Sequence, residues 1–175
     1  MYPFLRLFAL WLKSRKASPL SVTDTDESSF RAMPWDIDMF CEMNNGRVIT
    51  LYDLGRFSLA SRTGLGDVLR KNRWGLVVAG STVQYRKRIH MFDKVQMKTR
   101  LLDVQGRWMY IAQSMWVNNT CCSSIVLRTA VTEKGKAIDT QRVLDAMGIE
   151  HLALQTDEAW VRQWVAVDNQ RQYPD

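Results

Sequence analysis

The spacing of hydrophobic residues changes along this chain and predicts a different element in each region. From Arg47 to Arg62 apolar residues recur every three or four positions, which predicts a helix. They occupy so much of its circumference that we expect the helix to be buried against a sheet. Asn44, Asn45 and Gly46 form a turn before it, and Asn is a favourable helix cap.

Five other segments have the composition of strands. Val95–Leu101 alternates strictly between apolar and polar residues, which predicts a strand with one exposed face. Short turn sequences separate the later segments, so we expect four meandering, antiparallel strands after the helix. The other predicted strands are Phe30–Asp38, Leu76–Tyr85, Trp108–Val117 and Cys121–Thr132.

The first sixteen residues predict a short amphipathic helix, since Phe4, Leu7, Phe8 and Trp11 fall at helical spacing. Its apolar run is far shorter than the ~20 residues that span a bilayer. Two interpretations stay open: a helix docked on the protein's own body or on a sister subunit, or an interfacial membrane helix with a basic flank, which would give peripheral membrane contact through residues 2–16.

The remaining terminal segments complete a three-part organisation. Residues 17–29 are polar and predict a linker, so region 1–29 comprises helix and linker. Region 30–138 holds the predicted α+β core, an antiparallel sheet wrapped around one long central helix. Region 139–175 is predicted to be helical at Thr140–Met147 and Asp157–Asn169, with Trp160, Trp164 and Val167 on one face of the second helix.

Composition narrows the class of protein. A chain of 175 residues with 46% hydrophobic and 24% charged residues is typical of one globular domain, which excludes global disorder and a fibrous protein. A net charge of +6 suits a phosphate-bearing ligand, nucleic acid or an anionic membrane, and selects none of them. The three cysteines lack metal-ligand or disulfide spacing, which favours a reducing, cytoplasmic compartment. Two histidines exclude a site built from several histidines.

The densest polar cluster lies where the first strand meets the long helix, and it contains Asp36, Asp38 and Glu42. Backbone N–H groups at a helix start are free donors, and the helix dipole adds positive potential. A carboxylate facing such a terminus can activate water or attack a carbonyl, while the N–H groups hold the oxyanion. The alternative is that these side chains only cap the turn and the helix.

The string Asp38-Met-Phe-Cys-Glu-Met-Asn-Asn-Gly-Arg, followed by Tyr52-Asp-Leu-Gly-Arg, resembles the hotdog-fold acyl-CoA thioesterases of the 4-hydroxybenzoyl-CoA thioesterase type. Val83-Gln-Tyr-Arg-Lys-Arg and Trp108-Met-Tyr-Ile extend the resemblance, which covers about residues 30–138. It implies hydrolysis of an acyl-CoA or acyl carrier thioester by a homodimer or a dimer of dimers. It implies no metal, and no cofactor beyond coenzyme A as part of the substrate; no nucleic acid partner is expected.

The resemblance also implies roles for particular residues. Asp38 matches the catalytic carboxylate, and the N–H groups of Asn45 and Gly46 would lie near the thioester carbonyl. Glu42 occupies the position where the family commonly has histidine, so it joins the catalytic set as a second negative charge. Asn44 and Tyr52, which belong to the matching strings, are expected to contact substrate.

Basic residues offer a place for the phosphates of coenzyme A. Arg86, Lys87 and Arg88, with Arg47 and Lys94, would bind phosphate by fork geometry and point charge. The alternative is a solvated strand end.

Glu42 in the histidine position keeps a second function open, a non-catalytic binder of acyl thioesters. A third hypothesis, a hotdog hydratase, would need His90 to meet a carboxylate from elsewhere in the chain.

Overall fold

The computed structural model describes residues 3–150, 152 and 159–170, and shows a curled antiparallel sheet around a long helix. The helices are α1 (Phe4–Lys16), α2 (Asn45–Arg62), α3 (Leu65–Asn72), α4 (Thr140–Ala146) and α5 (Ala159–Asp168). The strands are β1 (Asp26–Arg31), β2 (Gly75–Tyr85), β3 (Lys94–Gln105), β4 (Trp108–Val117), β5 (Thr120–Glu133) and β6 (Lys136–Ala137). No described helix is both long enough and apolar enough to cross a bilayer.

The sheet confirms the antiparallel prediction but places one strand differently. Its order is β1-β3-β4-β5-β2, with β6 also paired to β5. Strands β3, β4 and β5 form the predicted meander through two tight turns; the second is Asn118–Asn119, where both residues have positive φ as a two-residue hairpin requires. The prediction that β2 continues this meander is wrong, because the link 86–93 carries the chain from the far edge of the sheet back to β3.

The inner face of the sheet packs on α2 as the hydrophobic pattern predicted. In β3, Val95, Met97 and Thr99 are buried while the residues between them are exposed. Gly55 of α2 lies against this face, and a Cβ atom there would come within 2.4 Å of the Thr99 hydroxyl oxygen. The absence of a side chain at Gly55 therefore lets the central helix approach the sheet closely.

The strand predicted over Phe30–Asp38 is shorter and begins earlier. Strand β1 starts at Asp26, inside the predicted linker, because Asp26–Arg31 pairs with β3 along its whole length. Pro34 then opens a short 3₁₀ turn that ends at Asp36, so Asp36 and Asp38 do not lie on one extended segment. Helix α3 was not predicted.

The terminal helices cover two sides of this core. Leu7 and Leu10 of α1 pack against the core, which places the helix on the protein's own body. Helix α5 lies near Leu102, Tyr110 and Val126 of the sheet, but its buried residues are Val161 and Val165. Of the three residues predicted to share one face of α5, Trp164 is partly buried, whereas Trp160 and Val167 are exposed. The predicted start at Asp157 lies outside the described residues.

Candidate active site

The loop before α2 presents Asp38 in a tight turn. The Asp38 N–H donates to the Glu42 carbonyl at 2.9 Å, and the Cys41 N–H donates to the Asp38 carbonyl at 3.1 Å. Cys41 sits at φ 60°, which closes the turn. Asp38 Oδ1 accepts from the Phe40 N–H at 2.8 Å, while Oδ2 accepts no hydrogen bond from any described residue. The half-buried carboxylate thus keeps one oxygen available to a water or substrate molecule.

The start of α2 leaves fewer backbone N–H groups available to a substrate carbonyl than the sequence predicted. Asn44 is the N-cap, and its Oδ1 accepts from the N–H groups of Gly46 at 2.9 Å and Arg47 at 3.3 Å. The Gly46 N–H is therefore already used, and the Asn44 side chain serves the helix. The Asn45 N–H has no hydrogen-bond partner among the described residues. Of the two predicted carbonyl donors, Asn45 is the one left open.

Asp36 has a structural role instead of a catalytic one. Its side chain is 0% exposed and accepts from Arg6 at 2.7 Å, from the Met33 N–H at 3.0 Å and from Arg47 Nη2 at 2.8 Å. Burial on its own would raise the pKa of Asp36, but these hydrogen bonds together hold it below its usual value. The carboxylate therefore ties α1 to the start of α2.

Arg47 binds Asp36 through two nitrogens, Nε at 3.1 Å and Nη2 at 2.8 Å. Both nitrogens donate to Oδ1 of the fully buried Asp36 carboxylate, so Arg47 belongs to the Asp36 cluster and is a poor candidate for the predicted phosphate contact. Arg86 and Lys87 are exposed at the end of β2, where their N–H groups bond the Cys122 carbonyl. Their side chains lie on the protein surface.

Glu42 has a cationic partner. Arg88 Nε lies 2.9 Å from Glu42 Oε2, and both side chains reach solvent. The second carboxylate of the loop is therefore balanced locally by a residue that the sequence pattern had assigned to phosphate binding. Arg88 links the predicted phosphate-binding cluster to the Asp38 loop.

Tyr52 is a core residue, so its prediction as a substrate contact is wrong. It is 0% exposed, and its hydroxyl forms a 2.8 Å hydrogen bond with Ser123 Oγ on β5. Burial outweighs this bond and raises the pKa of Tyr52 far above its ordinary value. Gln113 of β4 donates to the Tyr52 carbonyl at 2.9 Å and accepts from Arg56 at 2.9 Å. Tyr52 and Arg56, which begin and end the second matching string, therefore connect α2 to β4 of the sheet.

An apolar groove of about 1150 Å³ lies between α1, α2, α3 and β2. We name it the α1 groove. One wall consists of Phe4, Phe8 and Trp11, whose spacing predicted an amphipathic helix but not that this face would stay open. Sequence reasoning missed the groove because it exists only where α1 docks beside α2. Asp38 does not line it.

The surroundings of His90 and of the acidic residues give little support to a hydratase or a metal site. His90 Nδ1 is 3.8 Å from Asp93 Oδ2, within one exposed turn where Asp93 also accepts the His90 N–H. Asp93 therefore caps the turn, and His90 does not join the Asp38 loop. Within the ranges that the structure describes, no group of three or more His, Cys, Asp or Glu residues could hold a metal ion.

Comparison with known proteins bears on the family and the fold of this chain. The model of the thioesterase-like superfamily matches residues 32–146. Protein THEM6 of Xenopus laevis is 31% identical over 81 residues, which cover 46% of this chain and 39% of that protein. The chain thus matches well under half the length of this curated relative.

Solved structures confirm the hotdog fold that the sequence resemblance implied. The DHNA-CoA thioesterase of Staphylococcus aureus aligns with a TM-score of 0.64 at 14% identity, over 85% of this chain and 97% of that one. A thioesterase from Thermus thermophilus, complexed with coenzyme A and Zn, aligns with a TM-score of 0.59 at 16% identity, over 70% of this chain and 93% of that one.

Proposed function

Because the chain belongs to the thioesterase-like superfamily, we propose that it hydrolyses an acyl-CoA-type thioester to the free acid and the thiol. The observation that supports this best is the half-buried Asp38 carboxylate, with one oxygen open, in the loop that enters α2. Two structural neighbours add support, since one is a DHNA-CoA thioesterase and another was solved in complex with coenzyme A. A carrier-bound phosphopantetheine thioester presents the same reacting atoms.

The proposed reaction uses the loop and the helix terminus together. Asp38 removes a proton from water, whose oxygen adds to the thioester carbonyl carbon. The Asn45 N–H and the positive end of the α2 dipole stabilise the oxyanion that forms. The carbon–sulfur bond then breaks, and the thiolate leaves with the proton that Asp38 took up. In the alternative route, the Asp38 carboxylate attacks the thioester carbonyl carbon directly, the thiolate leaves, and water hydrolyses the acyl-enzyme anhydride that has formed.

The test is thiol release from short, long and aromatic acyl-CoAs by the parent, Asp38→Asn and Asp145→Asn. Asp145 lies exposed on α4 and provides a matched carboxylate control. We expect Asp38→Asn to lower kcat by about a hundredfold or more, as loss of a general base does, with an unchanged melting temperature. Turnover by Asp38→Asn at the parent rate would show that Asp38 is not the catalytic group.

Glu42 gives a specific reason to keep the non-catalytic binder as the second candidate. The Glu42–Arg88 pair replaces the histidine that the resemblance leads one to expect beside Asp38. If acyl-CoA binds without thiol release in the parent, and Glu42→His restores release, the chain is a binder that lost catalysis through this position.

The exposed Arg86 and Lys87 are proposed to contact the phosphates of coenzyme A, with Arg88 shared between phosphate and Glu42. Such surface contacts are screened by salt, so KM should rise with ionic strength. Arg86→Ala should raise KM without lowering kcat. An unchanged KM would show that Arg86 belongs to a solvated strand end and does not contact the phosphates. Lys94, also exposed, remains in the proposed set.

We also propose a homodimer, which sedimentation velocity would test. Strand β2 is a terminal strand of the sheet, and Val77 and Val78 are about half exposed on it. An exposed apolar edge strand is a template for pairing with a second copy. A single monomeric species at micromolar concentration would refute this proposal.

Peripheral membrane contact through α1 is proposed from its outward face; Tyr2 lies outside the described residues. Leu5 and Leu12 are exposed there, followed by the exposed Lys13 and Lys16. Apolar side chains beside cations suit an anionic membrane surface. We expect the chain to float with phosphatidylserine vesicles and Leu5→Ser to float less; equal flotation of both would exclude α1 as the contact. The cytoplasmic compartment remains a prediction from cysteine usage.

A further inference from the structure

The α1 groove has the chemistry of a binding site for a long apolar chain. Its volume of about 1150 Å³ slightly exceeds that of most small-molecule sites, which are mainly apolar with a few polar groups. Phe8 and Trp11 stack with their ring centroids 5.9 Å apart, yet Phe8 remains 59% exposed on this wall. An aromatic surface left open at this size marks a place where something apolar binds.

The charges that line the groove do not favour the phosphates of a CoA thioester. On the α2 wall Asp53 and Arg56 form an ion pair, and at the rim Asp67 pairs with Arg70 at 2.9 Å. Each anion is thus matched by a cation, so the groove offers no excess charge to phosphates. A neutral, apolar ligand fits this lining.

The groove continues the candidate active site along one row of α2. Asn45, Ile49, Asp53 and Phe57 are spaced four residues apart and therefore form one continuous ridge that winds along the helix. Each of them is exposed or half-exposed, and the last two line the groove. The helix rise places Asp53 about 12 Å from the open Asn45 N–H. A chain bound at its thioester by Asn45 can reach the groove along this row.

We infer that the α1 groove binds the distal part of a long acyl chain, and that α1 selects for chain length. This inference rests on the proposed hydrolysis of acyl thioesters and names the substrate class. The α1 wall runs from Phe4 to Ser14, about 15 Å along the helix, which fits an extended chain better than a compact ring. Helix α1 lies outside the matched superfamily region, so this wall belongs to this chain rather than to the shared domain.

The test compares two substitutions on the same helix. Phe8→Ala removes groove wall, whereas Leu12→Ala removes an apolar side chain that does not line the groove and is 43% exposed. Because Leu12 is the more covered of the two, its loss should disturb folding at least as much. Calorimetry then measures binding of the S-dodecyl and S-ethyl thioethers of coenzyme A, which cannot be hydrolysed.

We expect Phe8→Ala to weaken S-dodecyl-CoA binding about tenfold and to leave S-ethyl-CoA binding unchanged. Leu12→Ala should change neither. Equal binding of S-dodecyl-CoA by the parent and Phe8→Ala, or equal weakening of both thioethers, would overturn the inference. So would dissociation of an oligomer by Phe8→Ala in sedimentation, because a second copy would then fill the groove.

These outcomes separate the inference from the proposed function. Chain-selective binding that depends on Phe8, without turnover of any acyl-CoA, would refute the proposed hydrolysis and support the α1 groove as the acyl-chain site. Turnover that depends on Asp38, with S-dodecyl-CoA binding that does not depend on Phe8, would support the proposed hydrolysis and refute the α1 groove as the acyl-chain site.

Discussion

Replacing Asp36 with Asn tests whether one buried carboxylate holds α1 against the domain. The Asp36 side chain is fully buried and receives hydrogen bonds from Arg6, Arg47 and the Met33 N–H. Asn keeps the shape but removes the negative charge, so two guanidinium groups lose their common partner. One of them lies on α1 and the other on α2.

The size of the effect follows from burial. Removing one partner of a buried ion pair costs about 3–5 kcal/mol. Arg6 and Arg47 retain 19% and 17% exposure of their side chains, so solvent screens part of this loss. We therefore expect the free energy of unfolding to fall by about 3 kcal/mol. For a chain of this length that lowers the melting temperature by roughly 6–12 °C.

Urea and thermal unfolding, followed by tryptophan fluorescence, would measure this loss. Asp38→Asn is the matched control, because Asp38 accepts one backbone hydrogen bond and has no cationic partner among the described residues. If Asp36→Asn melts within about 2 °C of the parent, the two arginines do not depend on the Asp36 charge and the reasoning fails.

The same substitution predicts a pH dependence. The pKa of Asp36 is lower in the folded protein than in the unfolded chain, where it is about 3.9. The stability that depends on its charge is therefore complete above that value and is lost as the pH falls through the folded-state pKa. The difference between parent and Asp36→Asn should shrink in acid; a constant difference would assign the loss to packing.

Two further substitutions test packing roles. Gly55→Ala should lower the free energy of unfolding by about 2 kcal/mol, because the added Cβ would clash with Thr99. Gly66→Ala should instead stabilise α3 by about 0.5–1 kcal/mol, because the nearest atom to the added Cβ would be 3.4 Å away. Equal urea midpoints for the two variants would contradict this. Tyr52→Phe should cost about 1 kcal/mol through its lost bond to Ser123 and leave KM unchanged; a raised KM would return Tyr52 to the substrate site.

The core could be predicted from sequence because local pattern determines it. The period of α2 and the alternation of β3 each depend on neighbouring residues alone, and both elements extend slightly beyond their predicted bounds. The pairing of β2 with β5 could not be predicted in this way. It depends on where the link 86–93 crosses the domain, which is a long-range property.

The candidate site shows the same division. The Asn cap was placed correctly, since Asn44 caps α2 through its own side chain, and α2 begins two residues before its predicted start. The partners of Arg47 and Tyr52 were not predicted, because Asp36 and Ser123 meet them only through tertiary packing. A polar residue in a buried strand, Gln113, was the available signal that α2 makes polar contacts with the sheet.

The spacing of Asp36 and Asp38 shows why the two carboxylates separate in function. Two residues apart on a strand, they would share one face and one environment. The 3₁₀ turn beginning at Pro34 breaks that relation, so Asp36 turns inward to two arginines and Asp38 stays at the surface of the loop. Glu42 is balanced by Arg88, which leaves Asp38 as the loop carboxylate without a cationic partner among the described residues. A half-buried carboxylate without a cationic partner is free to act on water, which is why the proposed chemistry depends on Asp38.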